Sequence, residues 1–575
     1  ARGIIPTGPA RHLTGVKHTL IQQMAILFSF IQEEKAMHLS DSEMKDREQW
    51  EKAGIRLPGF DREAMRQATK ECPQWIHFGA GNIFRAFPAA LQQELLNQGA
   101  EKTGIIVAEG YDYEIIKKAY RPQDDLSLLV TLKANGTIEK TVIGSLAESL
   151  AVDRQDEADW NRLKAIFASS TLQMASFTIT EKGYCITSPD GSFRPDVARD
   201  FEAGPDMADS YIGKLVSLCH WRYTHGAAPL ALVSMDNCSH NGDKLSAAVA
   251  AYAKAWTDNG KAARGFLEYI EDPACVSFPW SMIDKITPRP DDSVRKMLED
   301  AGFTDTESIV TSKNTYVAPF VNAEEAEYLV IEDAFPNGRP GLEKTGVMFT
   351  TRDTVEKVER MKVCTCLNPL HTTLAVYGCL LGYTKISEEM KDGDLVRLVE
   401  LIGYREGLPV VTDPGILSPR KFIDEVLKIR VPNPFMPDTP QRIACDTSQK
   451  LSIRFGETIK EYLARPELDV QSLRFIPMVQ AGWCRYLLGV DDEGNSFTVS
   501  PDPMYGELAE QLKDVKVGEP CDVHAVLRPI LGNAAIFGVD LYEAGLGAYT
   551  EDIFAELIAG KGAVRAALRK HLQEA

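Results

Sequence analysis

Trp75-Ile76-His77-Phe78-Gly79-Ala80-Gly81-Asn82-Ile83-Phe84-Arg85 is the stretch that decides the fold. Its first four residues read as a short buried strand that runs into two glycines one residue apart. A helix-like segment follows and stops at Gln98-Gly99; Pro88 must kink it or mark its first turn, since proline lacks the donor that an inner turn needs. A second apolar run, Ile105-Ile106-Val107-Ala108, ends at Glu109. Strand, glycine turn, helix and a strand closed by an acid form a βαβ unit of the dinucleotide-binding type. Glycine lets the backbone approach a pyrophosphate, and the helix N-terminus supplies N–H donors. The carboxylate can take the adenosine ribose hydroxyls and would repel a 2′-phosphate, which points to NAD. Gly79, Gly81, Asn82, Ile83, Phe84, Arg85 and Glu109 are the expected cofactor-binding residues. The third glycine of the usual pattern is missing, and Phe84 holds its place.

Further strands follow. Leu128–Leu132 and Glu139–Ile143 flank Asn135-Gly136, a two-residue hairpin signal. Ala175–Thr180 and Leu230–Ser234 read as core strands, each ending in polar residues, Thr180-Glu181-Lys182-Gly183 and Asp236-Asn237. Ligands of doubly wound sheets bind beyond the carboxyl ends of strands, so polar side chains there are functional candidates. Past Thr350 the pattern changes to amphipathic stretches: Val355–Gly382, Asp394–Tyr404, Pro419–Lys428, Ser452–Ala464 and Val470–Leu488. The expected fold is α/β, an N-terminal Rossmann-type dinucleotide-binding domain followed by a mainly α-helical C-terminal domain. The expected limits are an extension over 1–36, a helical lead-in over 37–70 opened by Ser40-Asp41-Ser42, the nucleotide domain over 71–345 and the helical domain over 346–575. The active site is expected in the cleft between the halves.

A chain of 575 residues exceeds what one core supports, in line with two domains. Its net charge of −19 argues against nucleic acid and anionic membranes as partners, because both demand a basic face. The apolar run 19–31 is too short and polar to span a bilayer, and Gln32-Glu33-Glu34-Lys35 follows it where a signal peptide would be cleaved. Eleven cysteines without a paired framework indicate a reducing compartment, hence a cytoplasmic protein. The ten histidines include no HExxH and no Cys/His ligand cluster, so no metal is expected. The oligomeric state is left open.

Met361-Lys362-Val363-Cys364-Thr365-Cys366-Leu367-Asn368-Pro369-Leu370-His371 carries the chemistry. It sets a lysine, a carboxamide and an imidazole among apolar residues. Apolar surroundings disfavour the charged form of lysine, which suits it to act as a general base. Asn and His can hydrogen-bond a carbonyl or hydroxyl oxygen, so the group can exchange a proton with an alcohol.

Several motifs in order resemble the long-chain polyol and hexuronate dehydrogenases, the mannitol dehydrogenase family. They are Gly79–Arg85, Ser234-Met235-Asp236-Asn237, Phe278–Pro288, Lys362 with Asn368-Pro369-Leu370-His371, and Gln441–Lys450. The opening motif and Ala108-Glu109-Gly110-Tyr111-Asp112 look most like the fructuronate reductases, or D-mannonate oxidoreductases, of hexuronate catabolism. The resemblance implies Lys362 as general acid/base, Asn237 and Asn368 polarising the carbonyl, and His371 orienting the substrate oxygen. It implies Glu359 in proton relay, and Asp284, Arg442 and Lys450 on the substrate chain, where the last two could hold a uronate carboxylate. A mannitol 2-dehydrogenase acting on fructose and a tagaturonate reductase are the enzyme alternatives. A nucleotide-sensing protein without turnover is the alternative from another class.

One departure from the family pattern generates a structural expectation. The family places four residues between lysine and asparagine, and here there are five. At about 100° per residue, Lys362 and His371, nine apart, would face opposite sides of a regular helix. A π-bulge would absorb the extra residue, with Thr365 placed to satisfy a freed backbone group.

Overall fold

A computed structural model describes residues 36–574, so the expected extension and its apolar run lie outside the described residues save for Ala36. Six strands, β1 (Trp75–Phe78), β2 (Ile105–Glu109), β3 (Leu146–Ala151), β4 (Met174–Phe177), β5 (Leu230–Ser234) and β6 (Val276–Ser277), pair in parallel. Their order, β3-β2-β1-β4-β5-β6, is that of the doubly wound dinucleotide fold. Successive side chains of a strand point to opposite faces. Ile76, Phe78, Ile106 and Leu232 enter one core; Trp75, Ile105, Val107 and Val233 enter the other. Unbroken apolar runs are what a sheet covered on both faces requires.

Local rules place the segments around the first turn. The helix after Gly81 is split into Asn82–Ala86 and Pro88–Asn97, and Pro88 takes the first turn of the second piece, where its missing N–H costs nothing. Strand β4 stops at Phe177, short of the expected Thr180. There the backbone turns through Thr180 at φ +64°, held by Asp236, which accepts from the Ile179 and Thr180 N–H groups at 2.9 Å each. The Asn135-Gly136 hairpin forms, but its ladder ends at Leu132–Ile138 and the chain turns over 133–137 instead of two residues. It belongs to a separate four-stranded sheet with Ile55–Arg56 and Phe320–Glu324. The lead-in is helical only in part: Arg47–Lys52 and Arg62–Glu71 flank the short strand Ile55–Arg56.

A third sheet joins the halves. Ser281–Asp284 runs antiparallel to Tyr328–Glu332, which pairs in parallel with Met348–Thr350. Met282 and Val330 enter the helical core, whereas Ile283, Leu329 and Ile331 enter the core of the large sheet. The helical unit therefore draws core residues from strands well before Thr350.

Beyond Thr350 the chain is helical, but four of the expected helices contain a π segment: Lys362–Cys366, Leu401–Gly407, Val426–Arg430 and Ser452–Gly456. The first separates Arg352–Met361 from Asn368–Leu380. Gly378 in that second helix admits the short helix Ile386–Glu389, since a Cβ there would lie 2.1 Å from Glu389 Oε1.

Glu389 is fully buried and neither carboxyl oxygen has a hydrogen-bond partner among the described residues; burial, with Asp392 adding, pushes its pKa up to about 9. The folded state thus keeps a proton that the unfolded state releases above its ordinary value of 4.5. Stability contributed by this group is present below that value and is lost as pH rises toward 9. At pH 7 the cost is on the order of 3 kcal/mol. Glu389→Gln, neutral at every pH, should raise Tm at pH 7–8 and flatten the fall of Tm between pH 5 and 9 in thermal scans. An unaltered slope would place the titrating group elsewhere.

Candidate active site

A cavity of about 550 Å³ opens at the carboxyl ends of β1, β2 and β4, lined by Gly79, Gly81, Glu109, Thr180, Lys182 and Tyr211 among others. The two glycines serve different ends. Gly79 has φ +109° and a Cβ on it would lie 2.3 Å from the Thr178 carbonyl oxygen, so only glycine fits. A Cβ on Gly81 would meet nothing within 4 Å, which leaves room for a ligand at the turn. Glu109 Oε2 accepts from Ala80 N–H at 2.9 Å, and Oε1 accepts from Tyr111 and Asp112 N–H at 2.7 and 3.1 Å. Its carboxylate is thereby locked against the glycine turn. Tyr211 presents a buried hydroxyl that has no hydrogen-bond partner among the described residues. An open glycine, first-turn N–H donors, a fixed carboxylate and an orphaned hydroxyl fit the phosphates and ribose of NAD.

Four expected cofactor residues stand differently. The side chains of Asn82, Ile83, Phe84 and Arg85 do not line this cavity. Phe84, in place of a third glycine, stacks on His77 at 4.2 Å between ring centres. Arg85 is 1% exposed and donates to the Ala318 carbonyl at 2.6 Å and to Asn82 Oδ1 at 2.7 Å. Both side chains therefore brace the turn from behind. Thr180, Lys182 and Tyr211 were missed as cofactor candidates, although Thr180 and Lys182 lie in the polar end of β4 that the sequence already marked.

A second cavity, of about 140 Å³, is lined by Asn237, Asp284, Lys362, Asn368, His371, Ser387, Arg430 and Asp438 with apolar neighbours. Lys362 and His371 thus share one cavity. The widening that allows it is explicit: Leu367 N–H donates to Lys362 O at 3.1 Å, five residues back instead of four. One residue is absorbed, and lysine and histidine return to one side. Thr365 does not complete the bulge as expected; its hydroxyl makes no hydrogen bond among the described residues, and its methyl faces Gly407.

The surroundings of Lys362 are ionic, against the apolar setting that the sequence suggested. Its ammonium lies 3.3 Å from Asn237 Oδ1 and 3.3 Å from Asp284 Oδ1. Arg430 grips Asp284 with both arms, at 2.6 and 3.0 Å, and also donates to Glu324 at 2.8 and 3.1 Å. Burial pushes the Asp284 carboxyl up, but Lys362 and Arg430 outweigh it and hold the carboxyl at about 2. Lys362 and Arg430 come from the helices, and Asp284 and Glu324 from strands of the first half, so the network ties the halves at the site. Asp284 was expected on the substrate chain, and these partners occupy both its oxygens. Arg430 and Glu324 were not legible as site residues.

His371 Nε2 lies 3.5 Å from Asp438 Oδ2. Burial pulls its imidazole down to about 4, Asp438 opposing and Arg454, Arg442 and Arg430 reinforcing, so it is neutral near pH 7. The Asn368 carboxamide makes no hydrogen bond to protein among the described residues and faces the same cavity. Glu359 does not line it; it sits half-buried one turn before Lys362. Arg442, with its side chain 63% exposed, pairs with Asp438, and Lys450 donates to the Cys445 carbonyl at 2.5 Å. Neither lines the cavity, so the structure places the expected chain-binding pair outside it. Among the described residues no cluster of three His, Cys, Asp or Glu could hold a metal ion, and no helix is long and apolar enough to cross a membrane.

Comparison with known proteins agrees with this layout. Residues 73–344 match the model of the mannitol dehydrogenase Rossmann domain, and residues 354–547 match that of the mannitol dehydrogenase C-terminal domain. A D-mannonate oxidoreductase of Thermotoga maritima is 51% identical over 93% of this chain and 99% of its own length. A substrate-free D-sorbitol dehydrogenase superposes with a TM-score of 0.75 at 25% identity, covering 90% of this chain and 98% of that one. Pseudomonas fluorescens mannitol 2-dehydrogenase, in a ternary complex with NAD and D-mannitol, gives 0.64 at 27% identity over 91% and 97%.

Filling the open side of the turn should affect the cofactor alone. Gly81→Val places its side chain in the larger cavity at an ordinary φ of −83°. NADH affinity, read by fluorescence titration, should fall at least about tenfold with Tm unchanged. Unaltered affinity would move the dinucleotide away from this turn.

Proposed function

The chain belongs to the mannitol dehydrogenase family, and on that footing we propose that it interconverts a keto sugar acid and its alcohol, D-fructuronate and D-mannonate, as an NAD(H)-dependent oxidoreductase. The observation that carries the proposal is the convergence of Lys362, Asn237, Asn368 and His371 on one cavity. The 51% identity with a D-mannonate oxidoreductase supports the sugar-acid substrate over a neutral polyol.

When bound, NADH supplies a hydride to the substrate's carbonyl carbon. Lys362 gives a proton to the carbonyl oxygen as it becomes a hydroxyl, and in the oxidative direction its amine takes that proton back. Asn237 and Asp284 fix the ammonium at 3.3 Å each, so Lys362 loses little freedom on meeting the oxygen. The Asn368 carboxamide and the neutral His371 ring donate to the oxygen as charge develops on it; each such donor is worth about 3 kcal/mol. Glu359 relays protons toward the surface. We assign the nucleotide half to 71–345 and the catalytic half to 346–575, and the free state of all eleven cysteines supports a reducing cytoplasm.

Loss of NADH absorbance with fructuronate, tagaturonate and fructose tests the reading. Fructuronate should be reduced with much the highest kcat/KM, with NADH preferred to NADPH because Glu109 would repel a 2′-phosphate. Fructose as the best substrate would establish the polyol reading instead, and no turnover of any would favour a nucleotide-sensing role. Lys362→Ala should lower kcat about a hundredfold to ten-thousandfold while NADH affinity holds. Exhaustive chelation should leave the wild-type rate unchanged; loss restored only by added zinc would overturn the lysine mechanism.

A further inference from the structure

Behind the glycine turn a chain of polar groups lies buried along β1 and β4. The indole Nε1 of Trp75 donates to Ser176 Oγ at 2.7 Å, and the same oxygen lies 2.7 Å from His77 Nδ1. The other ring nitrogen, Nε2, lies 2.8 Å from the hydroxyl oxygen of Thr178. Trp75, His77 and Ser176 are at most 1% exposed. Thr178 is half-buried and lines the larger cavity, and its Oγ1 would lie 3.1 Å from a Cβ on Gly79. The hydrogen bonds therefore start in the core and end at the cofactor turn.

The direction of this chain is fixed by its donors. An indole N–H can only donate, so Ser176 Oγ accepts from Trp75. The Ser176 hydroxyl must then place its own hydrogen, and among the described residues the one remaining partner is His77 Nδ1. A ring proton on Nδ1 would leave a fully buried O–H without an acceptor, which folded proteins seldom tolerate. Nδ1 is therefore bare, and the neutral ring carries its proton on Nε2. Burial, with no acid opposing, pulls the imidazole down to about 3, so a doubly protonated ring does not arise near pH 7. Phe84, stacked at 11° between ring planes, holds the imidazole in this orientation. Nε2–H donates to Thr178 Oγ1, and the Thr178 hydroxyl keeps a hydrogen that no other described residue accepts.

We propose that Thr178 donates this hydrogen to a pyrophosphate oxygen of the bound dinucleotide, and that His77 is the positioning residue that makes the hydroxyl a donor. The inference rests on the NAD reading given above and assigns the part of the cofactor that Thr178 meets. In doubly wound folds the pyrophosphate lies at the glycine turn, and Thr178 Oγ1 stands against the first glycine of that turn. A free hydroxyl can donate or accept. One that already accepts from an imidazole N–H is left to donate, which sets this side of the turn for an anion. Bonds in such a chain polarise one another, so an anionic acceptor at Thr178 strengthens each bond behind it. His77 and Ser176, polar residues in otherwise apolar strands, thereby gain a use at the cofactor.

The test reads binding rather than turnover, with wild type, Thr178→Val and Thr178→Ser titrated with NADH, ADP and adenosine. ADP carries two linked phosphates without the nicotinamide ribose, and adenosine carries none. Thr178→Val should weaken NADH and ADP about ten- to a hundredfold, the worth of a hydrogen bond to a charged group, and leave adenosine nearly unchanged. Thr178→Ser, which keeps the hydroxyl, should bind close to wild type. In 15N-labelled wild type, NMR should show His77 with a protonated Nε2 and a bare Nδ1. Saturating ADP should shift that N–H proton in wild type and not in Thr178→Val. The spectrum of wild type carries the test if the valine variant does not fold. A ring proton on Nδ1, a loss on NADH without one on ADP, equal losses on all three ligands, or unchanged affinity would each overturn the assignment. A wild type that binds no NADH would instead overturn the NAD reading itself, and the role of Thr178 with it.

Discussion

The hydrogen bond from Leu367 N–H to Lys362 O is the constraint on which the active site depends. An α-turn at this point would leave Lys362 and His371 on opposite sides of one helix, nine positions apart. The i→i+5 bond takes up one residue and puts both side chains into the same cavity. Leu367, at φ −127°, breaks the helical path, and Asn368-Pro369 starts a new first turn, where a proline is welcome. The catalytic groups are thus carried by two helices meeting at a wide joint. The later wide turn at 426–430 delivers Arg430 to the same cavity.

A second constraint acts across the halves of the molecule. Lys362 and Arg430 on the helical side meet Asp284 and Glu324 on strands of the other side, all largely buried. Charges taken out of water are tolerated only when fully paired, and the Asp284 carboxylate is held by both cations. The network therefore fixes the ammonium position and the relation of the halves at once. It gives little reason to expect added stability, since an apolar seam could serve as well; its use is in setting where Lys362 stands.

Much of this was legible in the sequence because it follows from short-range rules. Apolar runs of four residues marked β2 and β5, since a strand covered on both faces has no polar face to interrupt it, and β1 departs from that rule only at His77. Pro88 marked a helix start because its geometry permits little else. The spacing of Lys362, Asn368 and His371 demanded an extra residue per turn, and the structure contains it. The rest depended on contacts distant in the chain. Arg430 and Glu324 carried no local signal, because it is the fold that brings these residues, 106 positions apart, together. Phe84 and Arg85 sat in a cofactor motif, yet their side chains turn away because His77 and the Ala318 carbonyl offer partners behind the turn. The wide turns at 401–407, 426–430 and 452–456 had no pair of motif residues to betray them.

Chemical rescue of Lys362→Ala by small primary amines tests the central claim most directly, because it asks whether an amine is the missing group. Oxidation of mannonate with NAD would be measured across amines of graded basicity at fixed free-base concentration. The account predicts that rate returns with added amine, saturates, and rises with amine basicity, as proton removal in the transition state requires. A variant that keeps its rate without amine, or that no amine rescues while NADH and mannonate still bind, would contradict Lys362 as the proton-transferring group.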